Sequence, residues 1–136
     1  MIEITRDDFS IDEIVSKMKG PETGAFVMFL GVVRGLSEGE NIERMTIESY
    51  EEMARKTMEE LRKNAIEKFK GTDVSMVHRI GDLKPSDNII LIAVSSSHRQ
   101  EAFEACRWLI DEVKKTVPFW KKEYTSSGTR WVKEDR

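Results

Sequence analysis

The chain has 136 residues, 39% hydrophobic and 35% charged. That is enough for one domain with one core, and too apolar for a disordered segment. Its 22 Lys+Arg and 25 Asp+Glu leave a formal net charge of −3, which argues against a general nucleic-acid coat protein. One cysteine, Cys106, and two histidines, His78 and His98, exclude an internal disulfide, a multi-thiolate zinc site and an iron–sulfur cluster. Any metal would have to rest mostly on carboxylates. The longest apolar run, Ala25 to Leu30, is far short of the roughly 20 residues that span a bilayer. The N-terminal stretch Met1 to Asp8 is acidic where a secretory signal is apolar. A reduced, cytoplasmic setting is expected.

In chain order, Ser10-Ile11-Asp12-Glu13 reads as a capping box that opens a short helix ended by Gly20-Pro21. Gly24 to Arg34 is an unbroken apolar segment, expected as a strand covered on both faces. Gly35 to Asn41 is polar and glycine-containing, expected as a mobile loop. Met45, Ile47 and Ser49 alternate with polar neighbours as in a half-buried strand. Ala54, Met58, Leu61, Ala65 and Phe69 have the spacing of an amphipathic helix. Val74, Met76, His78 and Ile80 alternate as a strand, and Lys84 to Asn88 is a turn before a strand over Ile89–Val94. A second long helix follows Ser97 and ends at Pro118. The segments Phe119–Tyr124 and Thr129–Lys133 then form a hairpin around Ser126-Ser127-Gly128. No repeat or linker interrupts the chain, so residues 1–136 are expected to be a single α+β domain.

The most informative local stretch is Ser97-His98-Arg99-Gln100. Ser97 and Gln100 have capping-box spacing, which predicts His98 and Arg99 at the first two helical positions. A helix start is a ready anion site, and cations placed there point to a bound anion such as phosphate. The alternative is that both side chains are solvated, or that Arg99 pairs with an acid. From Lys114 onward seven cations face three anions, a charge of +4 that leaves −7 on residues 1–113. Phe119, Trp120, Tyr124 and Trp131 are interleaved with those cations. Such a surface suits a flat anionic heterocycle, an acidic partner or single-stranded nucleic acid. Lys114 and Lys115 are equally explained by the dipole at a helix C-terminus. Alternation puts Lys121 on one face with Phe119 and Glu123, and Lys122 on the other with Trp120 and Tyr124. His78 is in phase with a core face, and Cys106 sits among apolar helix positions. Both are expected to be buried structural residues.

The ordered set Gly31-Val32-Val33-Arg34, Glu48 to Ala54, His78-Arg79-Ile80-Gly81, Ser97-His98-Arg99 with Ala102-Phe103, Lys114, and Pro118 to Glu123 resembles the large, catalytic subunit of molybdopterin synthase. Gly128 and Trp131 extend the match, which covers nearly everything from Gly24. The resemblance implies an α+β fold with a mixed/antiparallel sheet, a hammerhead-like β substructure and two long helices. It implies a sulfurtransferase of molybdenum cofactor biosynthesis that turns cyclic pyranopterin monophosphate into molybdopterin without a bound cofactor or metal. The sulfur would come as a C-terminal thiocarboxylate on a small ubiquitin-like carrier subunit, in a heterotetramer built on a homodimer. No nucleic acid or membrane is implied as a partner. A non-enzymatic module that binds an anionic nucleotide or RNA through the basic aromatic tail is the rival reading.

By the same resemblance Lys114 and Lys121 are the catalytic lysines. Val32, Val33, Arg34, His98, Arg99, Lys122 and Glu123 join them at substrate-binding positions. Leu36 to Asn41 departs from the family form, and Asp135, next to Arg136, stands where relatives carry a basic pocket residue. Geometry adds a constraint. His98 and Lys114 are 16 residues apart on one predicted helix, roughly 24 Å at 1.5 Å per residue. One small substrate cannot touch both ends, so a shared site must combine Lys114 of one protomer with the partner's His98 and Arg99.

Overall fold

Thr72–Arg79 and Asn88–Ser96 carry buried side chains at nearly every position, the pattern of strands covered on both faces. A computed structural model describes residues 1–132 and bears this out. The elements are β1 (Ile2–Thr5), α1 (Ile11–Met18), β2 (Ala25–Val32), β3 (Leu36–Ser37), β4 (Glu40–Ser49), α2 (Glu51–Lys68), β5 (Thr72–Arg79), β6 (Gly81–Leu83), β7 (Asn88–Ser96), α3 (Arg99–Thr116), β8 (Phe119–Thr125) and β9 (Gly128–Trp131). Two sheets result, and the fold is mixed α+β. The first has the order β1-β5-β7-β2, with β1 parallel to β5 and the other pairs antiparallel. The second runs β3-β4-β8-β9, with β6 also on β4, and is antiparallel throughout.

The helices α2 and α3 pack on one another and on one face of the first sheet. Ala54, Met58, Leu61 and Ala65 of α2 and Ala102, Ala105, Cys106, Leu109 and Val113 of α3 are buried there, the stripe that helical periodicity predicts. On the other face α1 buries Ile14 against Val77, Leu91 and Ala93. Its start is the expected cap: the Ser10 hydroxyl accepts from the Glu13 backbone N–H at 3.2 Å.

Three local expectations are corrected. Residues 35–41 are not a mobile loop but a tight hairpin, β3 to β4. Glu38 and Gly39 both have positive φ, 50° and 79°, as a two-residue turn matched to strand twist requires. The Gly24–Arg34 segment is not covered on both faces within the chain. Instead β2 is an edge strand on which Met28, Phe29, Leu30 and Val32 are exposed. An apolar run marks a surface that needs covering, but does not say whether the same chain covers it. The capping box at Ser97 does not form. His98 is the N-cap of α3, without a side-chain cap bond, and Arg99 is the first helical residue. Ser97 is held elsewhere: a Cβ on Gly24 would stand 2.3 Å from its carbonyl oxygen, and its N–H donates to Gly71. The chain therefore turns helical one residue later.

Candidate active site

The second sheet begins where α3 ends. After Pro118, β8 pairs with β4 in a register that sets Phe119 opposite Ser49 and Lys121 opposite Ile47. Strand alternation then turns Phe119, Lys121 and Glu123 to one side. There they meet the last turn of α3 and the β7–β2 side of the first sheet, enclosing a cavity of about 270 Å³. Ile89, Ile90, Ile92, Ile110, Val113 and Val117 make its apolar wall, and Arg34, His78, Lys114, Lys121 and Glu123 supply its polar groups.

Lys121 is the half-buried cation of this cavity. Burial, and next the charge of Lys114, hold its ammonium below the usual lysine range, because both disfavour the charged form. Lys114 reaches the cavity from the exposed end of α3. Two cations at an apolar wall form a site that an anion relieves. Arg34 borders it from the end of β2. Its neighbour Val33 is buried, with its backbone tied to the 84–87 turn by Val33 N–H to Asp87 O and Ser86 N–H to Val33 O, both at 2.9 Å. That pair of bonds fixes where the arginine leaves the strand.

His78 forms part of the wall from β5. Its ring stacks on Phe119 with centroids 3.6 Å apart and planes 10° from parallel, and Nδ1 lies 2.8 Å from the Arg79 carbonyl oxygen. Burial first, then the Lys121 charge, push its pKa down to about 3. Glu123 is enclosed, at 1% exposure, and accepts from Arg130 Nε at 3.2 Å. The same guanidinium bridges Glu38 and Glu40 through Nη1 and donates from Nη2 to the Ser37 carbonyl at 2.7 Å. Arg130 thus ties the β3–β4 hairpin to the carboxylate that borders the cavity.

Residues 4–116 match the family described as MoaE protein. The chain belongs to the MoaE family. It is 46% identical over 130 residues to a molybdopterin synthase catalytic subunit of Pyrococcus abyssi, covering 96% of this chain and 88% of that one. It is similar in structure to molybdopterin synthase from Staphylococcus aureus, with a TM-score of 0.92, 37% identity and 96% of each chain covered. A MoaE protein of Burkholderia ambifaria matches with a TM-score of 0.83 and 39% identity, over 96% of this chain and 87% of that one.

Within this MoaE-family chain the expected site residues fall in three places. Val32, Arg34, Lys114, Lys121 and Glu123 line the cavity described above, and Val33 is buried nearby in the chain. Lys122 lies on the opposite side of β8, its Nζ 5.6 Å from the Tyr124 ring centroid and 5.4 Å from that of Trp131. His98 and Arg99 are exposed at the far end of α3, outside the cavity. Asp135 and Arg136 lie outside the described residues. The buried histidine is the structural residue that its phase predicts, yet it also borders the cavity. Cys106 is buried, its thiol pushed up to about 11. In the sequence Arg130 stands out only as part of the tail charge. Its only signal was an arginine two residues beyond the hairpin glycine, Gly128, in register opposite Glu123.

Proposed function

We propose that this chain is the catalytic subunit of a molybdopterin synthase, transferring sulfur to cyclic pyranopterin monophosphate. The observation that carries the reading is one cavity with an apolar wall bordered by Lys114, Lys121 and Arg34. Its wall suits a flat ring and its cations suit a phosphate and a second anion. Residues 1–136 act as one domain, working in the cytoplasm. Among the described residues no helix is long and apolar enough to cross a membrane.

The chain's own thiol does not serve as the nucleophile. Cys106 is enclosed in the core with its Sγ 3.9 Å from the Ile92 carbonyl oxygen, and at a pKa of about 11 it stays protonated. Sulfur therefore arrives from outside, as the C-terminal thiocarboxylate of a small ubiquitin-like carrier. Lys114 and Lys121 orient that anion, and the sulfur forms its bond to the pterin side chain as the cyclic phosphate opens. The same ammonium groups stabilise the oxyanion formed when water cleaves the acyl–sulfur bond and releases the carrier as a carboxylate. Two carriers are consumed for each dithiolene. Removing one such donor costs about 10²–10³ in rate.

The site is completed by a second copy of the chain. Phe29 and Val32 are both exposed on the edge strand β2 and both line the cavity, so a protomer covering that edge reaches the cavity. The partner's His98 and Arg99 would then bind the phosphate, with Val33, Lys122 and Glu123 shaping the surroundings.

The test is reconstitution of the purified chain with cyclic pyranopterin monophosphate and a thiocarboxylated carrier. Dithiolene product is expected, and Lys114→Ala is expected to abolish it while leaving the fold and dimer intact. No product under conditions where a known synthase turns over would end the reading.

A further inference from the structure

The polar groups of the cavity are unequal in what they can offer a ligand. Arg34, Lys114 and Lys121 only donate hydrogen bonds. Glu123 accepts, but one of its oxygens is held by Arg130 at 3.2 Å. His78 is different. A carbonyl oxygen has no hydrogen to give, so the 2.8 Å contact between Nδ1 and the Arg79 carbonyl puts the proton on Nδ1. The opposite edge of the ring then carries Nε2 as a bare lone pair. The ring is 2% exposed and lines the cavity. Among the described residues Nε2 has no hydrogen-bond partner. The Phe119 stack sets the plane of the ring, and the Nδ1 contact sets which edge faces Arg79. An acceptor on the lining of a cavity is open to a donor of whatever the cavity holds.

We propose that His78 is a substrate-binding residue: its Nε2 accepts a hydrogen bond from an N–H or O–H of the heterocycle bound in the cavity. The inference rests on the pterin reading above, and it supplies what the lysines cannot. Cations recognise the charge of a phosphate or thiocarboxylate but do not read a ring. A fixed neutral acceptor selects rings with a donor at the matching edge and rejects those with a lone pair there, as buried polar groups do elsewhere. Because burial and Lys121 keep the imidazole neutral, it does not become a fourth cation beside Arg34, Lys114 and Lys121.

The test uses the full chain with ¹⁵N-labelled histidine. The free protein is expected to show His78 as the Nδ1–H tautomer, unchanged between about pH 5 and pH 8, the range where an ordinary histidine titrates. Adding cyclic pyranopterin monophosphate is expected to move the Nε2 resonance upfield. An Nε2–H tautomer, or a resonance that stays put while the substrate binds, overturns the inference alone. A chain that binds no pterin overturns the synthase reading and this inference with it. Two variants add an independent check. His78→Gln keeps an acceptor oxygen near the Nε2 position and should bind within about threefold of the parent. His78→Phe keeps the stack but loses the acceptor, and should bind roughly tenfold more weakly. Equal affinity of the folded Phe variant and the parent would refute the assignment.

Discussion

Replacing Arg130 by methionine tests the link between the β3–β4 hairpin and the cavity. The ion pairs to exposed Glu38 and Glu40 are screened by solvent and contribute little. The Ser37 carbonyl, on a residue only 4% exposed, loses a 2.7 Å donor, a cost of about 1 kcal/mol. The larger loss is at Glu123, where breaking a buried ion pair costs about 3–5 kcal/mol. That figure is discounted here to about 2 because the Arg130 side chain is 27% exposed and Glu123 keeps other interactions. Arg130→Met should therefore destabilise by about 3 kcal/mol, lowering Tm by roughly 10 °C. Urea and thermal unfolding followed by circular dichroism measure it. Combining it with Glu123→Met in a double-mutant cycle should reveal a coupling of at least about 1 kcal/mol. A loss below about 1 kcal/mol for the single change, or strict additivity in the cycle, would refute this account of the network.

Lys121→Met should reduce sulfur transfer by about 10²–10³ without lowering Tm, since the folded state holds that ammonium below its ordinary pKa. The cost is fully present at neutral pH and fades only as alkaline pH deprotonates the native lysine before the unfolded one; a large fall in Tm would contradict it. His78 acts in the same sense at lower pH. Its pKa falls from 6.5 to about 3 on folding, so the neutral ring contributes stability that is present above pH 6.5 and lost as pH falls towards 3. His78→Phe should remove up to about 1.4 kcal/mol per pH unit of acid sensitivity in that window, read from urea unfolding at a series of pH values. Cys106 should resist an aromatic disulfide reagent until the protein unfolds, because its thiol is buried and its pKa is about 11. Cys106→Ala should leave sulfur transfer intact and cost about 1 kcal/mol of stability.

The parts of this fold that were legible in the sequence are those set by local patterning. Ser10 and Glu13 announce α1, the spacing from Ala54 to Phe69 announces α2, and alternation from Phe119 correctly pairs Lys121 with Glu123 on one face. What escaped depends on contacts distant in the chain. The four-residue β1 is a strand because it lies parallel to β5, Ile2 opposite Met76, and nothing in its own length requires that. The three-residue β6 exists only as a partner for β4. At Ser97 a sound capping signal loses to close packing against Gly24. The 35–41 segment has a mobile loop's composition because the guanidinium that fixes it stands some 90 residues later. For the candidate site, Lys114, Lys121, Arg34 and Glu123 came from ordered motifs and do converge on one cavity. His78 reads as core, and is core, but it also lines the cavity.

The cavity lies on a seam. Ile90, Ile92 and His78 belong to one sheet, and Met45, Phe119 and Lys121 belong to the other. Whatever fills it is therefore a cross-brace between two sheets that the chain also joins covalently, at Ile80 between β5 and β6 and at Val117 and Pro118 after α3 among other crossings. By mass action, a ligand at a hundred times its dissociation constant adds about 2.7 kcal/mol to the stability of the folded state. That gain is shared by both sheets, so hydrogen exchange should slow in β7 and β8 together. Ligands for this chain can accordingly be ranked by how strongly they raise its melting temperature, before any sulfur is transferred.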